Sequence, residues 1–251
     1  MTMFDLSGRW AIVTGANTGI GRAIAVGLAR AGADIVGVGR SAMTETAAEV
    51  AGCGRTFVSV AADLSEPGVA DRVMAEALAA AATPDILVNN AGIIRRADAL
   101  EFSEEDWDAV IDTNLKSVFF LCQAFAKAAL AADRPAKIIN IASLLSFQGG
   151  IRVPSYTASK SGLAGLTKLL ANEWAARGIN VNAIAPGYVE TNNTEALRAD
   201  AERSADILKR IPAGRWASPD DMAGAAVFLA SPASNYVHGA ILPVDGGWLA
   251  R

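Results

Sequence analysis

The sequence has one histidine, two cysteines and no cluster of basic residues, so it is short of several things that chemistry usually needs. His238 stands alone, which leaves the commonest proton-transfer side chain nearly absent. Cys53 and Cys122 lie far apart without a CxxC pattern, so with one histidine they assemble no zinc site from soft ligands. No metal is expected. The net charge of -4 and a pI near 5.1 argue against nucleic acid and anionic membranes as partners, because both need a positive patch. Aromatics make up only 6% while alanine is abundant, which suits helices packed closely on a sheet better than a β-sandwich. No apolar window approaches the roughly eighteen residues that cross a bilayer, and MTMFDLSGRWAIVTG has no basic stretch ahead of an apolar run. A soluble, cytoplasmic protein is expected.

What is present is an apolar, rhythmic chain. Its 251 residues are 52% hydrophobic and 19% charged, enough for a large core. Short β-branched runs at 10–14, 35–38, 56–60, 86–88, 137–142, 180–185 and 241–244 alternate with helical patterns near 19–31, 43–52, 67–81, 103–131, 155–177 and 219–230. Such alternation implies right-handed βαβ crossovers. The predicted fold is α/β: a single-domain, Rossmann-type, doubly wound parallel sheet of about seven strands with helices on both faces. No repeat or linker divides the chain, so one dinucleotide-binding and catalytic domain is expected over 1–251. From 186 to 218 the pattern turns polar, charged and irregular, which reads as a substrate loop or lid.

The first strand runs into Thr14-Gly15-Ala16-Asn17-Thr18-Gly19-Ile20-Gly21, and a helical pattern follows at once. Glycines there allow a tight turn and let a phosphate reach backbone N–H groups at a helix N-terminus. Gly15, Asn17, Thr18, Gly19, Ile20 and Gly21 are therefore cofactor-binding candidates, although the spacing is G-x3-G-x-G rather than G-x-G-x-x-G. The second strand ends in Val38-Gly39-Arg40-Ser41, without the acidic residue that holds a ribose 2′-hydroxyl in NAD sites. Arg40 and Ser41 would instead meet the 2′-phosphate of NADP; a solvated loop arginine is the alternative. Asp63 and Leu64 follow strand three, where an adenine edge would lie. Asn90, Ala91 and Gly92 follow strand four, where small residues let a cofactor pass close to the backbone.

Four polar residues complete the set. Asn114 lies inside an amphipathic helix, DWDAVIDTNLKSVFFLCQAF, where asparagine is a poor helix former. Ser143 follows the apolar run KIINIAS at a strand C-terminal end. Tyr156 and Lys160 stand four apart, on one face of a helix. Each residue alone also fits an ordinary structural role. Together with TGxxxGIG, NNAG, Pro186-Gly187 and VDGG, in this order and spacing, the chain resembles the short-chain dehydrogenase/reductase family over essentially its whole length.

The resemblance implies roles. Tyr156 removes the alcohol proton, Lys160 tunes Tyr156 and holds the nicotinamide ribose, Ser143 hydrogen-bonds the reacting oxygen, and Asn114 positions a proton-relaying water. Pro186, Gly187, Val189 and Thr191 join the cofactor site, and a homotetramer built on helices 103–131 and 155–177 and the last strand is implied. Physics supports the pairing: an ammonium about 4 Å away, at an effective dielectric near 20, favours phenolate by roughly 4 kcal/mol. That would bring a tyrosine from about 10 to near 7, before any desolvation penalty.

The segments IIRRADALEFSEEDW, SFQGGIRVP, APGYVETNN, IPAGRW and VDGGWLAR resemble those of sugar-acid dehydrogenases, the 2-deoxy-D-gluconate 3-dehydrogenases and gluconate 5-dehydrogenases. A sugar acid brings a carboxylate, which arginine grips bidentately. Arg95 or Arg152 is expected to do so, with Gln148, Tyr188 and Asn193 on hydroxyls; exposed loop arginines are the plainer reading. Such enzymes commonly use NAD, which conflicts with Arg40. A 3-oxoacyl-carrier-protein reductase shares every motif, but should present a basic face to an acidic carrier. A non-catalytic dinucleotide sensor would be expected to lose Ser143, Tyr156 or Lys160, and all three are intact.

Overall fold

The computed structural model describes residues 3–80 and 83–250. The expected domain limits at 1 and 251 and the expected helix end at 81 lie outside the described residues. Strands β1 (Trp10–Thr14), β2 (Asp34–Gly39), β3 (Phe57–Ala61), β4 (Ile86–Asn89), β5 (Ala136–Ile141), β6 (Ile179–Pro186) and β7 (Ile241–Val244) form one sheet. All pair in parallel, in the order β3-β2-β1-β4-β5-β6-β7. The order reverses between β1 and β4, so the crossovers leave in opposite directions and a crevice opens at the strands' C-terminal ends.

Side-chain alternation makes two cores. Ala11 and Val13 pack on one face with α1 (Gly19–Arg30), α2 (Thr44–Gly52) and, further along the chain, the helix Ala223–Ala230. Ile12, between them, points to the other face. There α3 (Val69–Ala80), α5 (Ser117–Ala131) and α6 (Pro154–Trp174) cover the sheet, and α4 (Glu104–Ile111) packs on α6. β6 is buried along its whole length, as a strand covered on both faces must be. Each such buried aliphatic side chain contributes about 1.5–3 kcal/mol.

Two sequence expectations need correction. The helix expected at 103–131 is not continuous. One turn of π-helix, Asp112–Lys116, separates α4 from α5 and holds Asn114. Such a turn carries one extra residue and commonly marks a functional site. The stretch 186–218 is not a plain loop either. It contains α7 (Glu195–Ala199) and α8 (Ala201–Arg210), followed by α9, the helix Ala223–Ala230 already named. Ile207 and Ile211 are buried against Leu144 and Trp248. This small apolar cluster clamps α8 over the ends of β5 and β6.

Candidate active site

The glycine turn is built against the end of β4. Gly15 and Gly19 have φ of +66° and +54°, which L side chains rarely adopt. A Cβ on Gly21 would lie 2.1 Å from the Gly15 carbonyl oxygen, so no other residue fits there. The Thr14 hydroxyl accepts from the N–H groups of Asn90 and Ala91, both at 3.0 Å, and the Asn90 amide donates back to Thr14 and Gly15 carbonyls. Thr18 caps α1 without a side-chain bond to the first-turn N–H groups, leaving them for an anion. Thr191 lies against Gly19, and Val189 is buried beside the same face. Gly187 abuts Asp245 so closely that a Cβ would meet its Cα at 2.7 Å.

At the far end of this groove Asn17 donates to the Ser41 hydroxyl at 2.8 Å. The Arg40 guanidinium is two-thirds exposed and 3.6 Å from Asp63. Asp63 also accepts from the Ser65 N–H and hydroxyl, and these bonds hold its carboxyl below the usual range. The cradle therefore fits a dinucleotide: backbone room at the pyrophosphate, open N–H groups at α1, and a cation with hydroxyls where a 2′-phosphate would lie.

The proton-transfer groups sit where β5 hands over to α6. Ser143 caps the short turn Leu144–Ser146 by accepting from the Leu145 N–H at 3.2 Å. Its hydroxyl lies close enough to the Tyr156 phenol to favour that group's ionised form. Lys160 is buried and donates to the Ile141 carbonyl at 2.6 Å, with its ammonium 5.6 Å from the centre of the Tyr156 ring. Burial depresses Lys160 to about 8. Burial also raises the Tyr156 phenol, and the Ser143 hydroxyl and the charge of Arg96 oppose that only in part. The desolvation penalty set aside in the near-neutral figure is the larger effect in the protein alone. Desolvation outweighs attraction, and the lysine is spent on a carbonyl rather than on the phenol.

Asn114 is wholly buried, and its amide clamps the segment after β4. It accepts from the Ile93 N–H and donates to the Ile93 carbonyl, both at 2.8 Å, with a longer contact to Ser159.

A cavity of about 630 Å³ opens above these residues. Ser143, Tyr156, Gln148, Pro186, Gly187, Tyr188 and Asn193 line it, as do Arg96, Arg203 and Arg210. Arg95 and Arg152 do not. Their guanidiniums reach Asp106 at 3.0 Å and Asp98 at 3.2 Å, so the carboxylate partners they were expected to seek are supplied by the chain. Gln148 accepts from the Trp248 indole N–H at 3.2 Å, and Tyr188 packs on Trp216 and Trp248. Sequence reasoning missed Arg203, Arg210 and Trp248. The spacing of Arg203, Ile207 and Arg210 over two turns was the available signal, hidden because 186–218 read as irregular. Among the described residues no group of His, Cys, Asp and Glu could hold a metal ion.

A dinucleotide cradle joined to a half-buried tyrosine beside a buried lysine, and a polar cavity, defines an NAD(P)-dependent oxidoreductase. Comparison with known proteins agrees. Residues 15–249 match the family described as Enoyl-(Acyl carrier protein) reductase. The chain is 60% identical, over 100% of its length and 99% of the relative, to 2-dehydro-3-deoxy-D-gluconate 5-dehydrogenase of Escherichia coli. A structure from Agrobacterium tumefaciens with bound NADP, provisionally assigned as a 2-deoxy-D-gluconate 3-dehydrogenase, is 65% identical, with full coverage of both chains and a TM-score of 0.96. Gluconate 5-dehydrogenase from Burkholderia cenocepacia, in complex with NADP and tartrate, is 41% identical, covers 99% and 98% of the two chains and has a TM-score of 0.93. The chain belongs to the short-chain dehydrogenase/reductase family.

Proposed function

We propose that this protein interconverts a secondary hydroxyl and a ketone on a sugar acid of the 2-dehydro-3-deoxy-D-gluconate or gluconate type, with NADP. The observation that carries the reading is the joining of the Ser143–Tyr156 pair to a cavity lined by three guanidiniums, in a chain of net negative charge. The relatives named above support the substrate class. A small cation-lined pocket in an acidic chain suits a sugar acid better than the acyl chain of a carrier protein.

Bound NADP would supply the hydride acceptor, held by the glycine turn, α1, Arg40 and Ser41. The protein's own residues handle the proton. Ser143 hydrogen-bonds the substrate oxygen and keeps it against the Tyr156 hydroxyl. Tyr156 takes the alcohol proton at its phenolic oxygen, and returns one in the reverse direction. Lys160, four residues on and buried, supplies the positive charge that makes the phenolate accessible once it turns from Ile141. Closure of α8 over the cavity excludes water. Asn114 and Asn90 fix the strand-end segments that shape the floor.

The same proposal includes a cytoplasmic homotetramer. Two free cysteines fit a reducing compartment. Trp107 on α4, Phe120 on α5 and Leu169 on α6 are large apolar side chains left exposed, and β7 ends the sheet with an open edge. The direct test mixes the enzyme with NADP and a panel of sugar acids, and follows reduced nicotinamide by absorbance. Turnover of 2-deoxy-D-gluconate or gluconate is expected; turnover only of 3-hydroxyacyl thioesters would replace the reading.

A further inference from the structure

Helix α8 breaks the usual rule for a surface helix. Residues at i, i+3, i+4 and i+7 share one face, and on a helix lying over a core that face is apolar. Here the cavity-side stripe is Arg203, Asp206, Ile207 and Arg210, of which only Ile207 is buried and the three charged side chains are exposed at the cavity's edge. Ile207 alone anchors the stripe in the apolar cluster. The sequence thus places two guanidiniums over the site on a helix anchored by Ile207, with Ile211 just past its end in the same cluster.

The three cavity arginines are not equivalent. Arg96 donates to the Asn193 carbonyl at 2.9 Å, and the Arg210 guanidinium stacks 4.2 Å above the Trp248 ring. Arg203, among the described residues, has neither an ion pair nor a side-chain hydrogen bond. It does lie close enough to Tyr188 for its charge to act on that phenol, whose ionisation burial opposes. A guanidinium with all its donors free, facing a cavity and beside a half-buried phenol, is prepared for a planar anion.

We infer that Arg203 is the residue that selects a carboxylated substrate: it grips the carboxylate of the sugar acid from α8, with the Tyr188 hydroxyl donating to the same group. The inference rests on the sugar-acid reading above. Selection then comes from the helix that covers the site, while Ser143 and Tyr156 act on the hydroxyl from the sheet side. Arg95 and Arg152, already paired with Asp106 and Asp98, take no part.

The test compares wild type, Arg203→Gln and Arg203→Lys, with Arg30→Gln as a charge-matched control at the far end of α1. Steady-state kinetics with D-gluconate and with D-glucitol, its neutral counterpart, are run beside calorimetric titration of D-gluconate into each protein saturated with NADPH, a pair that cannot react. Losing a charged hydrogen-bond partner is expected to raise KM and Kd for gluconate in Arg203→Gln by about 10- to 100-fold, with a smaller change in kcat. Preference for gluconate over glucitol should collapse, and Arg203→Lys should restore part of it. Gluconate binding equal in wild type and Arg203→Gln overturns the inference, whether or not the enzyme turns gluconate over. Binding that depends on Arg203 without turnover of any sugar acid would keep the anion site and reject the sugar-acid dehydrogenase reading. Absence of gluconate binding to the wild type also overturns it.

Discussion

The Lys160 ammonium lies 5.6 Å from the centre of the Tyr156 ring and is hydrogen-bonded at 2.6 Å to the Ile141 carbonyl. The lysine is therefore parked beneath the tyrosine rather than bonded to its oxygen. Burial shifts both groups toward their neutral forms, the phenol upward and the amine downward to about 8. Activation then requires a further positive charge in the groove, and bound cofactor with its oxidised nicotinamide brings one.

The pH dependence of catalysis follows from these directions. A phenol pushed upward is mostly protonated at neutral pH, so the form that accepts a proton grows as pH rises. For alcohol oxidation, kcat/KM should increase roughly tenfold per pH unit on the acid side, the signature of one required deprotonated group. Ketone reduction needs the protonated phenol and should fall at alkaline pH. In Lys160→Met the rising limb of oxidation should move to higher pH; a profile unchanged by that substitution would remove Lys160 from the account.

Stability should also rise with pH. Lys160 titrates near 8 in the fold and at 10.5 as a free side chain. Below 8 both states are charged, and the folded one bears the full desolvation cost. Between these values the folded state loses its proton first, so the penalty fades as pH rises. Lys160→Met removes the buried charge but orphans the Ile141 carbonyl. The net gain at neutral pH should be on the order of 1–2 kcal/mol, shrinking toward pH 10. Chemical denaturation at both pH values measures it.

Gly21→Ala tests the cradle. Its Cβ would fall 2.1 Å from a backbone oxygen that no side-chain rotation can move. NADP binding should be lost, and the fold should be weaker by about 1–3 kcal/mol, the usual range for overpacking. Fluorescence titration with NADPH reads the first effect and thermal melting the second.

Arg40 tests cofactor choice. It is exposed and its single carboxylate contact is a long 3.6 Å, so it is available to a 2′-phosphate. Arg40→Gln should lower the ratio of kcat/KM with NADP to that with NAD by about 10- to 100-fold, the worth of one charged hydrogen-bond partner. An unaltered ratio would leave Arg40 as a surface residue.

Much of this was legible in the sequence where the signal is local. The four-residue spacing of Tyr156 and Lys160, the glycines after β1 and the β-branched runs each encode geometry within a few residues. What depended on distant partners was not. Arg95 and Arg152 looked free because Asp106 and Asp98 meet them only after the loops fold. Arg203 looked like loop charge because its inward aim is set by Ile207 packing on Trp248, some forty residues later. The break at Asn114 escaped because a π turn leaves the hydrophobic pattern on both sides helical. The direction of the Tyr156 shift stayed open because spacing gives proximity but not burial, and burial dominates it.

The most direct test of the central claim is single-turnover oxidation of a sugar acid by Tyr156→Phe saturated with NADP. The substitution keeps the ring and removes only the hydroxyl beside Ser143. The account predicts NADP binding like that of the wild type and a hydride-transfer rate lower by about a hundredfold to ten-thousandfold, the range for losing a general base. Transfer at the wild-type rate in that variant would contradict it.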